Sequence, residues 1–219
     1  MTLGMQRASE LAKRTSDFML RRENDVLKSY LPRKREFTVF CGMSDIQLQC
    51  YEKIIKSTLP LVHTGSLMQG TILGILVLLG QVATHPSLAM GKDGNDTTSA
   101  NKENEGGSFL VMNQIRSSFK NVWMASNAAK DVRVQDSGKL SVLFSILRLI
   151  MKKGEKVVVA SGSTETLNLV ERLCKAQHWA TVRLDGTIDH VNRDAAVRMF
   201  NSATSAMVFL LSKRAGGTL

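Results

Sequence analysis

The sequence predicts an α/β protein, a parallel sheet covered by helices and preceded by a mainly helical region. Three observations carry that prediction. From Asp136 to the end, helical and strand patterns alternate without a break, and such alternation implies a parallel sheet with helical crossovers. Before it, apolar residues recur at helical spacing, interrupted by one polar, glycine-rich stretch. The 219 residues include 43% hydrophobic ones, enough to bury one large core or two small ones.

Residues 1–30 show a mixed-charge helical pattern anchored by Leu11, Phe18, Met19 and Leu20, with Arg21 and Arg22 on a solvated face. Leu31-Pro32 breaks the helix. Phe37–Met43 reads as a strand from its aromatic and β-branched residues. Ser44 is placed to cap the next helix, with Asp45 in its first turn. Ile46, Cys50 and Ile54 follow on one face, with Tyr51 packing beside them. Residues 66–89 form an apolar helix. Its apolar run, Thr71–Ala83, is too short for the ~20 residues of a membrane span, so it is expected as a buried core helix. His85, next to Pro86, is expected to be a structural residue at the helix end. Residues 91–107 form a polar, glycine-rich loop expected to be mobile. Ser108–Met124 is a further helix, and residues 127–135 link it to the α/β unit.

That unit begins with a helix carrying Leu140, Leu143, Phe144, Leu147, Ile150 and Met151. Lys156–Ala160 is a valine-rich run that reads as a buried strand. Leu167, Val170, Leu173 and Cys174 mark the next helix, and Ala180–Leu184 the second strand. A third helix presents Val191, Ala195 and Met199 on one face, and Ala206–Leu211 is the third strand.

Ligands of such sheets sit beyond the C-terminal ends of the strands. The turns there are Ser161–Thr164, Asp185-Gly186-Thr187 and Ser212–Gly217, all rich in glycine and small hydroxyl residues, the last with two cations. Turns of this kind let backbone N–H groups approach phosphates, and three on one rim suggest a track for several phosphates. The net charge of +10 fits an anionic partner. The cysteines Cys41, Cys50 and Cys174 are widely spaced, without a metal-binding pattern, and read as buried thiols. No paired acid and base, metal cluster or GxGxxG fingerprint is present, which argues against a small-molecule enzyme.

Specific residues resemble a known family, the Swi/Snf-type helicase-like ATPases, and within it the recombination-repair DNA translocases. Leu20-Arg21-Arg22, Tyr30-Leu31-Pro32, Lys34, Gln47 and Tyr51 resemble the end of the family's first ATPase lobe. Leu79 with His85-Pro86 resembles its helical insertion, and Asp136–Leu140 the entry to its second lobe. Val157–Ser161 with Thr164 and Thr166, then Arg183–Thr187 with Arg193 and Phe200-Asn201, then Leu211–Gly217, resemble three successive helicase motifs.

The resemblance implies a RecA-like sheet and three parts: residues 1–44 as the tail of lobe one, 45–132 as a helical insertion with its loop at 91–107, and 133–219 as the first half of lobe two. It implies a nuclear ATP-dependent translocase acting on double-stranded DNA, with a recombinase filament or chromatin as further partners and no membrane. Ser161, Thr164, Gly186, Arg193, Ser212 and Lys213 are then the candidates for DNA-backbone contact. Arg214, Ala215, Gly216 and Gly217 are candidates for the nucleotide side. Each has a plainer role open to it: helix capping for Ser161, Thr164 and Thr187, tight turns for the glycines, a solvated face for Arg193. Asp185 reads as a turn residue, not a catalytic acid.

The sequence also departs from the family. It contains no GxxxxGK[ST] loop and no acidic magnesium box, and it ends before the family's late arginine motif. Gly162 and Ser163 stand where larger residues are common, which removes a base-stacking role there. The intact protein is expected to use ATP and Mg. This piece is expected to bind neither and to carry no catalytic residue or metal. The alternative is a non-catalytic nucleic-acid-binding or interaction module.

Overall fold

The computed structural model describes residues 3–19, 30, 32–63, 69–90, 106–126, 132–205 and 207–216. Residues 91–105 of the loop expected at 91–107 and the Leu20-Arg21-Arg22 stretch lie outside the described residues, and Gly106 and Gly107, expected in that loop, begin a helix instead. The chain divides into two compact units, Met1–Phe40 and Cys41–Leu219.

The first unit contains helix α1 (Leu3–Thr15), with Lys13 and Arg14 in its last turn, where cations complement the helix dipole. Arg14 pairs with Glu10 one turn back at 2.6 Å, an exposed contact of small energetic weight. None of its residues is buried.

The strand expected at Phe37–Met43 does not form: residues 32–44 carry no strand, and Phe37 and Phe40 are 85% and 94% exposed. β-Propensity describes fit to a half-buried pleated surface, and the described strands pair only with one another.

In the second unit, helices α2 (Asp45–His63), α3 (Gln69–Thr84), α4 (Pro86–Ala89) and α5 (Gly106–Ala125) come first. Ser44 and Gln47 close a reciprocal capping box at the start of α2: the Gln47 N–H donates to Ser44 Oγ, and the Ser44 N–H donates to Gln47 Oε1. Cys50 and Ile54 of α2, Ile75, Leu78 and Val82 of α3, and Ile115, Phe119 and Trp123 of α5 share one core, with Ile46 and Tyr51 packed against it. Helix α3 is buried on one side only. Ile72, Leu73, Leu76 and Val77 are exposed on the other, which corrects the expectation of a fully buried helix. Among the described residues no helix is long and apolar enough to cross a membrane.

After a 3-10 turn at Val134–Asp136 come α6 (Gly138–Lys152), β1 (Val157–Ser161), α7 (Thr164–Ala176), β2 (Thr181–Leu184), α8 (His190–Ser202), β3 (Val208–Ser212) and α9 (Lys213–Gly216). The sheet is parallel, in the order β1-β3-β2. Helices α6 and α7 cover one face through Leu140, Phe144, Leu147, Leu167, Val170 and Leu173 against Val208 and Leu210. Helix α8 covers the other through Ala196, Val197 and Phe200 against Val182, Leu184 and Phe209.

Two expectations change here. Of the face expected on α8, Ala195 and Met199 are exposed, Met199 by 57%, and the Val191 side chain lies outside what is described; the Phe200 ring lies 5.0 Å from Phe209 and orients the helix. The first strand is not buried on both faces, since Val158 and Ala160 are exposed and β1 is an edge. Lys156, just before β1, donates from Nζ to the carbonyls of Phe200, Asn201 and Ala203. It thereby caps the C-terminus of α8, where orphan carbonyls favour a cation.

Candidate nucleic-acid interface

The strand register places Ser161 beside Ser212 and Leu184 beside Leu211. The segments that follow the three strands therefore lie on one rim, with that of β3 in the middle.

At the first turn, Ser163 is the α7 N-cap, its Oγ accepting from the Thr166 N–H at 3.3 Å. Ser161 Oγ accepts from the Ser163 N–H at 3.1 Å. Neither Ser161 nor Thr164 caps the helix, and the exposed Thr164 hydroxyl has no hydrogen-bond partner among the described residues. Gly162 is exposed, and a Cβ there would lie 4.0 Å from Lys213 Cδ, so the Lys213 side chain runs alongside this turn.

The second turn is organised by Asp185, which is only 3% exposed. Its Oδ1 accepts from the Thr187 N–H at 3.0 Å and the Thr187 hydroxyl at 2.6 Å, and its Oδ2 accepts from Arg183 Nε at 2.7 Å. These bonds, the Thr187 hydroxyl first, hold the Asp185 carboxyl below its ordinary value against the opposing effect of burial. Asp185 is thus an ionised acceptor with its oxygens engaged. The Gly186 N–H, exposed at the tip, has no partner among the described residues. Arg193 is half-buried and donates from Nε to the Ile188 carbonyl at 3.1 Å, which ties α8 to this turn and replaces the freely solvated face.

The turn expected at Ser212–Gly217 is replaced by the end of β3 at Ser212 and the short helix α9; Ser212 is 5% exposed and its hydroxyl has no hydrogen-bond partner among the described residues. Lys213 and Arg214 are exposed and have no ion-pair partner among the described residues. Ala215 is buried in the α8-side core, which anchors α9, and a Cβ on Gly216 would press on Leu211 at 3.0 Å. Gly217 lies outside the described residues.

The rim thus presents donors and cations suited to phosphate oxygens, beside the engaged Asp185 carboxylate and the exposed Glu165 and Asp189. Among the described residues no group of three His, Cys, Asp or Glu is brought together as a metal site. The described residues do not by themselves fit a nucleotide–magnesium site.

Reading the sequence gave no individual role to Arg183, Asn168 or Glu171. Arg183 Nη1 donates to Asn168 Oδ1 at 2.6 Å and to Glu171 Oε2 at 3.0 Å, while Nε serves Asp185. Lys175 Nζ holds the other Glu171 oxygen at 2.6 Å. Lys175 first, and Arg183 with it, lower the Glu171 carboxyl below its usual value. A signal was available: residues two apart in extended chain share a face, and Arg183 of β2 is followed two residues on by Asp185, just past the strand.

Residues 2–88 match the family model described as the SNF2-related domain. Over 98% of its length the chain is 34% identical to DNA repair and recombination protein RAD54B of Mus musculus. The chain is thus homologous to recombination-repair proteins, and residues 2–88 carry its likeness to the SNF2-related domain. It is also 33% identical to DNA repair protein rhp54 of Schizosaccharomyces pombe over 98% of the chain, and 30% identical to RAD54 of Saccharomyces cerevisiae over 99%. The chain spans about a quarter of the length of these relatives, 24% of the mouse protein.

Among solved structures, the C-terminal part of the Fun30 ATPase domain matches with a TM-score of 0.55 and 21% identity, covering 86% of this chain and 72% of that one. The Sulfolobus solfataricus SWI2/SNF2 ATPase core in complex with dsDNA matches with a TM-score of 0.55 and 18% identity, covering 93% and 37%. The helical region and parallel sheet therefore have the fold expected from the sequence, that of SWI2/SNF2 ATPase C-terminal lobes.

Proposed function

We propose that this chain is part of an ATP-dependent double-stranded DNA translocase of recombination and repair, and that its sheet rim holds the DNA phosphate backbone. The observation that carries the reading is the rim itself. Lys213 and Arg214, the hydroxyls of Thr164 and Ser212 and the Gly186 N–H, all without ion-pair or hydrogen-bond partners among the described residues, sit at the C-terminal ends of the parallel strands. Two of the six proposed contact residues carry charge, and of these Lys213 is the one without a protein partner among the described residues. Lys213 supplies attraction, while the hydroxyls and N–H supply direction and read no base sequence. The neighbouring ATPase core solved with dsDNA supports this reading.

The three-part division of the chain belongs to the same proposal, as do ATP and Mg as cofactors of the intact protein, a nuclear location and recombinase or chromatin partners. By itself the chain is proposed not to turn over ATP, because its sequence holds no GxxxxGK[ST] loop.

Duplex binding by fluorescence anisotropy across a salt series tests the interface. Binding is expected to weaken steeply with salt, and Lys213→Ala to make the slope of log K against log salt shallower by about 0.9. No binding at low salt, or binding indifferent to salt, overturns the interface. ATP hydrolysis is expected at background with and without duplex. Hydrolysis that survives repurification overturns the proposed inactivity. In the full-length protein, duplex binding without hydrolysis favours the non-catalytic module.

A further inference from the structure

We propose that Arg183 is the positioning residue of this interface, a brace that holds the Ser161–Thr164 turn and the Asp185–Thr187 turn at a fixed separation. The inference rests on the DNA-backbone reading above and names a residue that reading does not use.

The geometry is a short chain of bonds. Helix α7 starts at Thr164, in the first turn, and carries Asn168 and Glu171 one and two turns further on. Arg183 of β2 reaches both from Nη1, at 2.6 and 3.0 Å. From Nε, at 2.7 Å, the same guanidinium holds Asp185. Asp185 in turn holds the N–H and hydroxyl of Thr187. One planar fork therefore joins the helix beneath the first turn to the carboxylate that shapes the second. Lysine, with a single nitrogen, cannot reproduce that span.

Arg183 itself is poorly placed to touch a phosphate. Its side chain is 21% exposed, and its hydrogen bonds are to protein acceptors. Its positive charge is matched by Glu171 and Asp185. The phosphate-facing groups are the Gly186 N–H and the Thr164 hydroxyl, one at each end of the brace. Successive phosphates on a strand have a defined spacing, so contacts on two turns help each other only when the turns keep their distance.

Arg183→Gln removes the fork, and Asn168→Ala, on the exposed side of α7, removes one acceptor with little risk to folding. Duplex binding is measured for each variant and for the unaltered chain across the same salt series, below the thermal midpoint of each. Arg183→Gln is expected to weaken binding about tenfold at every salt concentration with the slope unchanged. Arg183→Lys is expected to recover only part of that loss, and Asn168→Ala to lose about threefold. Amide exchange at Thr187 is expected to quicken in Arg183→Gln.

A folded Arg183→Gln that binds as the unaltered chain does overturns the brace and leaves the DNA reading intact. A slope shallower by about one makes Arg183 a direct phosphate contact and overturns the brace as well. If Arg183→Gln does not fold, Asn168→Ala binding with full affinity decides against the proposal. If the unaltered chain binds no duplex at low salt, the DNA reading fails and the brace falls with it.

Discussion

The Gln47 side chain accepts a hydrogen bond from the Gly138 N–H at 3.0 Å, across 91 residues of sequence. Gln47 stands at the start of α2 and Gly138 at the start of α6. The same amide donates from Nε2 to the carbonyls of Val82 and Ala83, at 2.9 and 3.0 Å, and closes the capping box with Ser44. Gln47 is fully buried and all four hydrogen-bonding positions of its amide are used. Around it, Ser44 Oγ donates to the Asp136 carbonyl at 2.7 Å and Ser137 Oγ to the Thr84 carbonyl at 2.5 Å. The helical segment and the α/β segment are joined by side chains that bond the other segment's backbone.

Gln47→Ala takes the side-chain partner from two carbonyls and two N–H groups and leaves a cavity. The expected loss is about 2–4 kcal/mol of unfolding free energy, measured by urea titration. Gln47→Glu is expected to be nearly as harmful, because a carboxylate has no donor for Val82 and Ala83. A loss under about 0.5 kcal/mol in both variants contradicts the bonding scheme.

Gly138→Ala is a steric test of the same junction. A Cβ at this position would stand 1.7 Å from the Gly42 carbonyl oxygen. The obstacle is backbone, so the residues preceding α2 must shift and the Gln47 bond must lengthen. A drop in thermal midpoint of several degrees is expected, corresponding to about 1–3 kcal/mol. An unchanged midpoint is the contrary result.

His85 predicts a pH dependence. It is fully buried, caps α4 by accepting at Nδ1 from the Ser87 N–H, and keeps its proton on Nε2 for the Arg133 carbonyl at 3.3 Å. The Trp123 ring meets it edge-on. Burial, the largest influence, lowers its pKa below 6.5, against the Arg133 hydrogen bond and nearby Asp136. The folded state thus resists the proton that the unfolded state accepts. This contribution is fully present above the unfolded value and is lost as pH falls from about 6.5 toward the folded value. Unfolding free energy is expected to decline between pH 7 and 5, and the decline to shrink in His85→Gln. The lowered carboxyls of Glu171 and Asp185 add losses at lower pH, as pH falls from their ordinary values toward their folded ones. A His85→Gln profile parallel to that of the unaltered chain removes His85 as the cause.

The thiols of Cys50 and Cys174 are both fully buried, and burial pushes each up to about 11. Neither is a thiolate at neutral pH, so neither is nucleophilic. Labelling by a thiol reagent at pH 8 is expected to modify these two only in denaturant. Mass spectrometry showing label on either in the native protein contradicts this.

Much of the architecture was legible in local spacing. The alternation after Asp136, the Ser44 cap, the α7 helix and the order of turn residues all follow from residues within about four positions of one another. The site was legible in part. Small hydroxyl and glycine turns after each strand marked the rim, whereas the Arg183 fork depends on α7 lying beside β2. The strand expected at Phe37–Met43 failed for a related reason: its residues suit a sheet, and the described strands pair only with one another.

The sequence by itself determined the parallel α/β order, the positions of the first two turns and a family resemblance that the relatives later bore out. The tertiary structure alone decided which face of α8 is buried, that α3 is covered on one side, that β1 is an edge, and which hydroxyls cap helices and which stay open. Periodicity and capping are set by short-range covalent geometry. Burial, pairing and the state of each proton depend on neighbours brought together from distant parts of the chain, as Gln47 and Gly138 are.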